Sequence, residues 1–200
     1  MRSIFTDKVS DTMPLPEYPR PQLVRDGWQN LNGLYDYKIS DSSEKKPTDT
    51  DGKILVPFAP ECLLSKVKKG LKSTERLWYF KKFSLNDNLK GKNILLHFGA
   101  VDWECKVYIN DAFVGSHIGG YCAFSFDITD FLHDGENELS VCVFDPTDSG
   151  WQQRGKQVNE THGFWYTATS GIWQTVWLEA VDSCYIKKLD VVPDIDNNVI

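Results

Sequence analysis

Apolar and polar positions alternate with a period of two along much of this chain. In Glu104–Asn110, Cys105, Val107 and Ile109 share one face, and Lys106, Tyr108 and Asn110 share the other. In Glu138–Phe144, Leu139, Val141 and Val143 alternate with Ser140, Cys142 and Phe144. Successive side chains on an extended backbone point to opposite faces, so this pattern predicts half-buried β-strands. Comparable runs predict strands at Leu31–Ile39, Lys53–Phe58, Leu77–Leu85, Asn93–Phe98, Ala112–Gly115, Ala123–Ile128, Trp173–Glu179 and Tyr185–Val192. Asn110-Asp111 sits between two of them and predicts a tight hairpin turn. No stretch longer than about ten residues keeps a helical period. Thr129–Leu132 reads as a single helical turn, capped by Asp127 or Thr129 and stopped near Gly135.

Short strands joined by turns exclude the βαβ classes and predict an all-β sandwich, jelly-roll or immunoglobulin-like. Three segments flank or interrupt it. Residues 1–25, with Pro14, Pro16, Pro19 and Pro21, read as an extended Pro-rich strap over a sandwich spanning 26–184. Ser40–Gly52 is polar throughout and predicts an exposed loop. The strand signal from Tyr185 predicts that 185–200 begins a following, truncated domain.

Charge then narrows the function. Lys and Arg number 22 against 28 Asp and Glu, for a net charge of −6 over 200 residues. That balance argues against a nucleic-acid reader and against docking on an anionic membrane. No apolar run approaches the roughly 20 residues of a membrane helix. Cys62, Cys105, Cys122, Cys142 and Cys184 are odd in number and lack CxxC spacing, so neither a metal site nor a cofactor is called for. Thiols behind an N-terminus without an apolar signal segment predict a reducing, cytoplasmic setting.

Familiar catalytic signatures are missing. Gly150–Gln157 imitates a phosphate loop, but Gln157 stands where Ser or Thr must follow the Lys. Gly115-Ser-His-Ile-Gly119 places its Ser one position early for a nucleophile elbow. Glycosidase chemistry needs two carboxyl groups held several Å apart. No acidic pair stands in a context that marks it, and no catalytic residue is assigned.

Asp145–Trp177 carries the richest chemistry. About 28 residues join two strands there, a length that in compact domains often serves function. The segment mixes Asp145, Asp148, Arg154, Lys156 and Gln157 with Trp151, Trp165, Tyr166 and Trp173. Aromatic faces stack on the C–H face of a pyranose, while carboxylates, amides and Arg reach its hydroxyls. The same composition also suits a structural loop anchored by packed Trp. Asp102-Trp103-Glu104 has a similar double meaning.

Several stretches in order resemble a known family. YPRPQLVRDGWQNLNGLYDY (18–37), ILVPFAPECLLSKV (54–67), LWYFKKF (77–83), the run 94–132, NELSVCVFDPTD (137–148) and SGIWQTVWLE (170–179) are similar to the N-terminal sugar-binding domain of family 2 glycoside hydrolases. That is the β-galactosidase, β-glucuronidase and β-mannosidase group. The resemblance implies a galactose-binding-domain-like jelly-roll β-sandwich. It implies that the partners are a β-linked carbohydrate and two further domains of the same enzyme, one immunoglobulin-like and one a catalytic (β/α)₈ barrel. A barrel needs about 250 residues, so this chain alone is expected to be inactive. Both catalytic Glu belong to the barrel, and Asn159-Glu160 is not assigned catalysis. By position, the resemblance makes Asp145, Asp148, Arg154, Trp165 and Tyr166 candidate sugar contacts. Some members carry an acid just before the aromatic pair. Here His162-Gly163-Phe164 stands there, which leaves the sugar's identity open. Alternative functions are a stand-alone carbohydrate-binding module and a non-catalytic interaction domain.

Overall fold

A computed structural model describes residues 4–41 and 45–199. Its strands in chain order are β1 (Trp28–Asn30), β2 (Gly33–Asp41), β3 (Gly52–Val56), β4 (Glu75–Ser84), β5 (Asn93–Phe98), β6 (Val101–Asp102) and β7 (Glu104–Ile109). They continue with β8 (Ala112–Ile118), β9 (Phe124–Asp127), β10 (Glu136–Phe144), β11 (Gln157–Val158), β12 (Tyr166–Thr167), β13 (Gly171–Ile172) and β14 (Val176–Val181). One sheet has the order β3-β2-β4-β10-β7-β8, the other β1-β14-β5-β9. Their facing sides bury a single apolar core, which makes a jelly-roll β-sandwich.

The alternation sets which residues enter that core. Cys105, Val107 and Ile109 point inward, as do Leu139, Val141 and Val143, and the register pairs Leu139 with Ile109, Val141 with Val107 and Val143 with Cys105. Leu96 and Leu178, also paired, answer them from the second sheet. Asn110 and Asp111 both take positive φ, +50° and +67°, and join β7 to β8 as the predicted two-residue turn. The expected helical turn is a 3₁₀ turn at Thr129–Phe131, and Asp127 accepts the Thr129 N–H at 3.0 Å.

Two readings need correction and one needs trimming. Tyr185–Val192 forms no strand. Ile186, Leu189, Val191 and Val192 are exposed, and among the described residues no neighbouring backbone offers the ladder that a strand requires. Trp173–Glu179 is not one strand either: β13 ends at Ile172 and β14 begins at Val176. The polar loop is shorter than predicted, because Ser40 and Asp41 pair with Arg76 and Glu75 at the end of β2. Its residues 42–44 lie outside the described residues.

The N-terminal segment lies against the β1-β14-β5-β9 sheet. The Tyr18 ring meets Trp28 and Trp177 edge-on, each at 5.3 Å. Glu179, fully buried, accepts hydrogen bonds from Tyr18 at 2.7 Å, Arg20 at 2.7 Å and Arg25 at 2.7 Å. His97 stacks on Trp177 at 4.0 Å with Nε2 3.3 Å from the same carboxylate. Burial pushes His97 below the usual imidazole range despite the Glu179 carboxylate, so the ring is neutral at pH 7.

Candidate functional site

Strand register brings the N-terminal ends of β4, β7, β9 and β14 together with the C-terminal ends of β5, β8 and β10. The connections 99–103, 119–123 and 145–175 therefore cluster at one end of the sandwich. Short pairings stiffen the longest of them. β11 runs parallel to β12, and β13 runs antiparallel to β6, placing Gly171 opposite Asp102.

Beneath this surface lie two buried acids, Asp145 and Asp102, and the half-buried Glu61. Asp145, at the end of β10, accepts the Thr147 N–H at 2.8 Å and the Ser170 Oγ–H at 2.8 Å. Glu61 accepts the Ser170 N–H at 3.1 Å. Asp102 is only 3% exposed and accepts one bond, from Gln157 Nε2 at 3.3 Å. Gln157 also donates to the Tyr121 hydroxyl at 2.8 Å and accepts the Thr169 N–H, tying the long loop to the 119–123 connection. Trp173 Nε1 donates to the Gly120 carbonyl at 2.8 Å. Burial raises the pKa values of Asp145 and Glu61 against the donors that hold them. Burial, reinforced by the Asp145 carboxyl, pushes Asp102 up to about 7.

The sign of that last shift gives a prediction. A folded-state pKa above the unfolded one means that the folded chain binds the extra proton, so stability falls as pH rises from about 4 to about 7. Asp102→Asn keeps the shape without the ionisation. It is expected to gain stability relative to the unaltered chain above pH 7 and to flatten the slope below it. Thermal melts from pH 5 to 8 check this, and parallel curves for the two proteins would refute it.

The surface of this end is aromatic. Trp151 is 90% exposed and meets Trp103 edge-on at 5.9 Å. Phe164 and Tyr166 are 65% and 66% exposed. Phe164 stacks on Trp165 at 5.0 Å, the Arg154 guanidinium lies 5.7 Å over Trp165, and Lys156 lies 5.3 Å over Phe164.

The five residues expected at a sugar site divide accordingly. Arg154 and Trp165 come together on the surface, and Tyr166 is exposed beside them in sequence. Asp145 faces inward, where the Thr147 N–H and the Ser170 hydroxyl occupy its oxygens. Asp148 is turned to Asn159, which donates its N–H at 3.0 Å and its Nδ2 at 2.6 Å, and these bonds lower its pKa. Glu61 was missed by sequence reasoning. Its one visible signal is an acid inside the otherwise apolar run ILVPFAPECLL. No group of three or more His, Cys, Asp or Glu among the described residues is arranged to hold a metal ion.

The fold is thus a two-sheet jelly-roll with one looped end that exposes aromatic rings. The family model described as "Glycosyl hydrolases family 2, sugar binding domain" matches residues 63–181, and the chain belongs to that family. It is 37% identical over 117 residues to a β-galactosidase of Thermoanaerobacter pseudethanolicus, covering 58% of this chain and 15% of that protein. It is 29% identical over 122 residues to a putative β-glucuronidase of Formosa agariphila, covering 60% of this chain and 14% of that protein. Among solved structures, Bacteroides uniformis β-glucuronidase superposes with a TM-score of 0.55 at 26% identity, over 78% of this chain and 18% of that one. Faecalibacterium prausnitzii β-glucuronidase gives 0.63 at 20% identity over 90% and 35%, a likeness of fold. This chain thus spans a small fraction of the length of its curated relatives.

Proposed function

We propose that this domain edges the sugar pocket of a retaining β-glycosidase whose catalytic carboxylates lie in another domain of the same polypeptide. The observation that carries this is the bare aromatic surface of the 145–175 connection, with Trp151, Phe164 and Tyr166 exposed on a stiffly anchored loop. Apolar surface concentrated in this way marks a binding face. Its rings suit both a pyranose and a neighbouring domain wall. The chain's own raised-pKa acids do not suit hydrolysis. Asp102 and Asp145 are each 3% exposed, and no glycosidic bond can pass between them. Their work is to seat Ser170 and Gln157, and so the loop. Arg154, Trp165 and Tyr166 remain the candidate contacts to a β-linked sugar. All five cysteines are free thiols, which goes with a reducing, cytoplasmic setting.

Two measurements test this. An antibody against the domain, applied to source-cell extract, is expected to reveal a polypeptide far heavier than 22.9 kDa. A band at that mass would overturn the reading. In the long polypeptide, Tyr166→Ala is expected to raise KM for its glycoside about tenfold. Unchanged kinetics would place the loop outside the pocket.

A further inference from the structure

We propose that Asp102 and Gln157 form a latch that holds the aromatic segment 153–169 down on the sandwich, and that ionisation of Asp102 loosens it. Both ends of that segment are pinned. Gln152 donates to the Thr147 carbonyl at 2.6 Å, and Ser170, wholly buried, is held by Asp145 and Glu61. Between the pins lie Trp165, the exposed Phe164 and Tyr166, and the short β11-β12 pairing. Asn159 bonds to Asp148 within the same connection. The Gln157 amide instead reaches out of it, to Asp102 at 3.3 Å and to the Tyr121 hydroxyl at 2.8 Å. Its own oxygen accepts the Thr169 N–H, so one side chain gathers both arms of the segment.

The closed segment leaves the Asp102 carboxyl almost no access to water. A Cβ on Gly120 would fall 2.4 Å from Oδ1, so bare backbone of the 119–123 connection lies against one oxygen while Gln157 covers the other. The titratable groups that face it are Asp145 at the end of β10, Glu61 in the 57–74 connection and the Tyr121 phenol. Among the described residues no Lys, Arg or His is ion-paired with Asp102, Asp145 or Glu61, and His117 on β8 is turned to the Gly119 carbonyl at 3.1 Å. The Gln157 bond favours the carboxylate, but burial and the two acids outweigh it. An ionised Asp102 is therefore more stable where water reaches it, and lifting 153–169 admits water at less cost than opening the core. The closed form binds the extra proton. The open fraction thus rises about tenfold per pH unit from about 4 to about 7 and levels off above that. The latch itself needs no sugar; its effect on a glycoside rests on the function proposed above.

Trypsin reads the latch, because Arg154 and Lys156 lie inside the segment and a protease cuts the opened form. Initial cutting of the 200-residue chain after these two residues is divided by the rate for Asp102→Asn at the same pH, which cancels the pH dependence of trypsin. That ratio is expected to rise at least about tenfold from about pH 5.5 to about pH 7.5. Gln157→Leu removes the tie and is expected to be cut at least about tenfold faster than the unaltered chain at about pH 5.5. A ratio that stays flat overturns the proposal. So does Gln157→Leu cut no faster than the unaltered chain, or a rise matched by cutting after Lys106 within β7, which would mean that the whole domain opens. In the long polypeptide, KM for its glycoside is expected to rise over the same pH range, and not in Asp102→Asn. A rising ratio with a flat KM upholds the latch and takes the loop out of the sugar pocket.

Discussion

Replacing Glu179 by alanine is expected to cost the fold about 3 kcal/mol, because removal of one member of a buried ion network strands the others. Arg20, Arg25 and Tyr18 all end on this carboxylate. Without it, two guanidinium groups lose their carboxylate partner and keep only backbone carbonyls, and the N-terminal segment is left with ring contacts to Trp177 on β14. Urea unfolding is expected to show a lower midpoint, and proteolysis an earlier cut in residues 15–26. A midpoint equal to that of the unaltered chain would refute the assignment. The carboxylate also sets an acid limit. Burial pushes its pKa up, but the donors from His97, Tyr18 and Arg20 overcome burial and hold it at about 2, below the ordinary 4.5. A folded pKa below the unfolded one gives stability that is complete above about pH 4.5 and lost as pH falls toward 2. Glu179→Gln cannot ionise, so it is expected to lack that stability above about pH 4.5 and to approach the unaltered chain near pH 2, the reverse in sign of Asp102→Asn.

Period-two alternation made the sandwich legible, because each half-buried strand states its inner face locally. Cys105, Val107 and Ile109 needed no knowledge of partners. The Asn110-Asp111 turn was equally local, since its two positive φ values are a property of those residues. The Glu179 network was not legible. Its donors Arg20 and Arg25 lie 159 and 154 positions away, and only the fold brings them together. The long connection announced itself through length and rings, but its direction did not: Asp145 looked like a sugar ligand and is turned to Ser170. Glu61 was hidden for the same reason, as its partner Ser170 stands 109 positions on. Tyr185–Val192 shows the opposite failure. The alternation is present in the sequence, but a strand also needs a ladder, which no periodicity can state.

Gly171→Ala is expected to destabilise the domain by about 3 kcal/mol or more and to disorder the aromatic loop with it. Gly171 has φ +75°, where an L side chain is already strained. A Cβ there would also collide with the Tyr79 hydroxyl and come within 3.3 Å of Leu77 Cδ2. Neither neighbour can yield. Tyr79 is wholly buried, its hydroxyl accepts the Ile172 N–H at 3.1 Å, and Leu77 lies in the same core. The clash has one removable part, the hydroxyl. Tyr79→Phe alone is expected to cost about 1–3 kcal/mol, because it leaves the buried Ile172 N–H unpaired. Combined with Gly171→Ala, it opens room for the new methyl, so the double variant is expected to lose less than the two single losses added together. The residue of that cycle is the backbone strain at φ +75° plus the orphaned N–H. Strict additivity in urea would mean that Tyr79 does not set the glycine requirement. Coupling, measured together with the fluorescence of Trp151 and Trp165 in the loop, would show that the core hydroxyl beneath β13 fixes both the Ser170-Gly171 turn and the surface it supports.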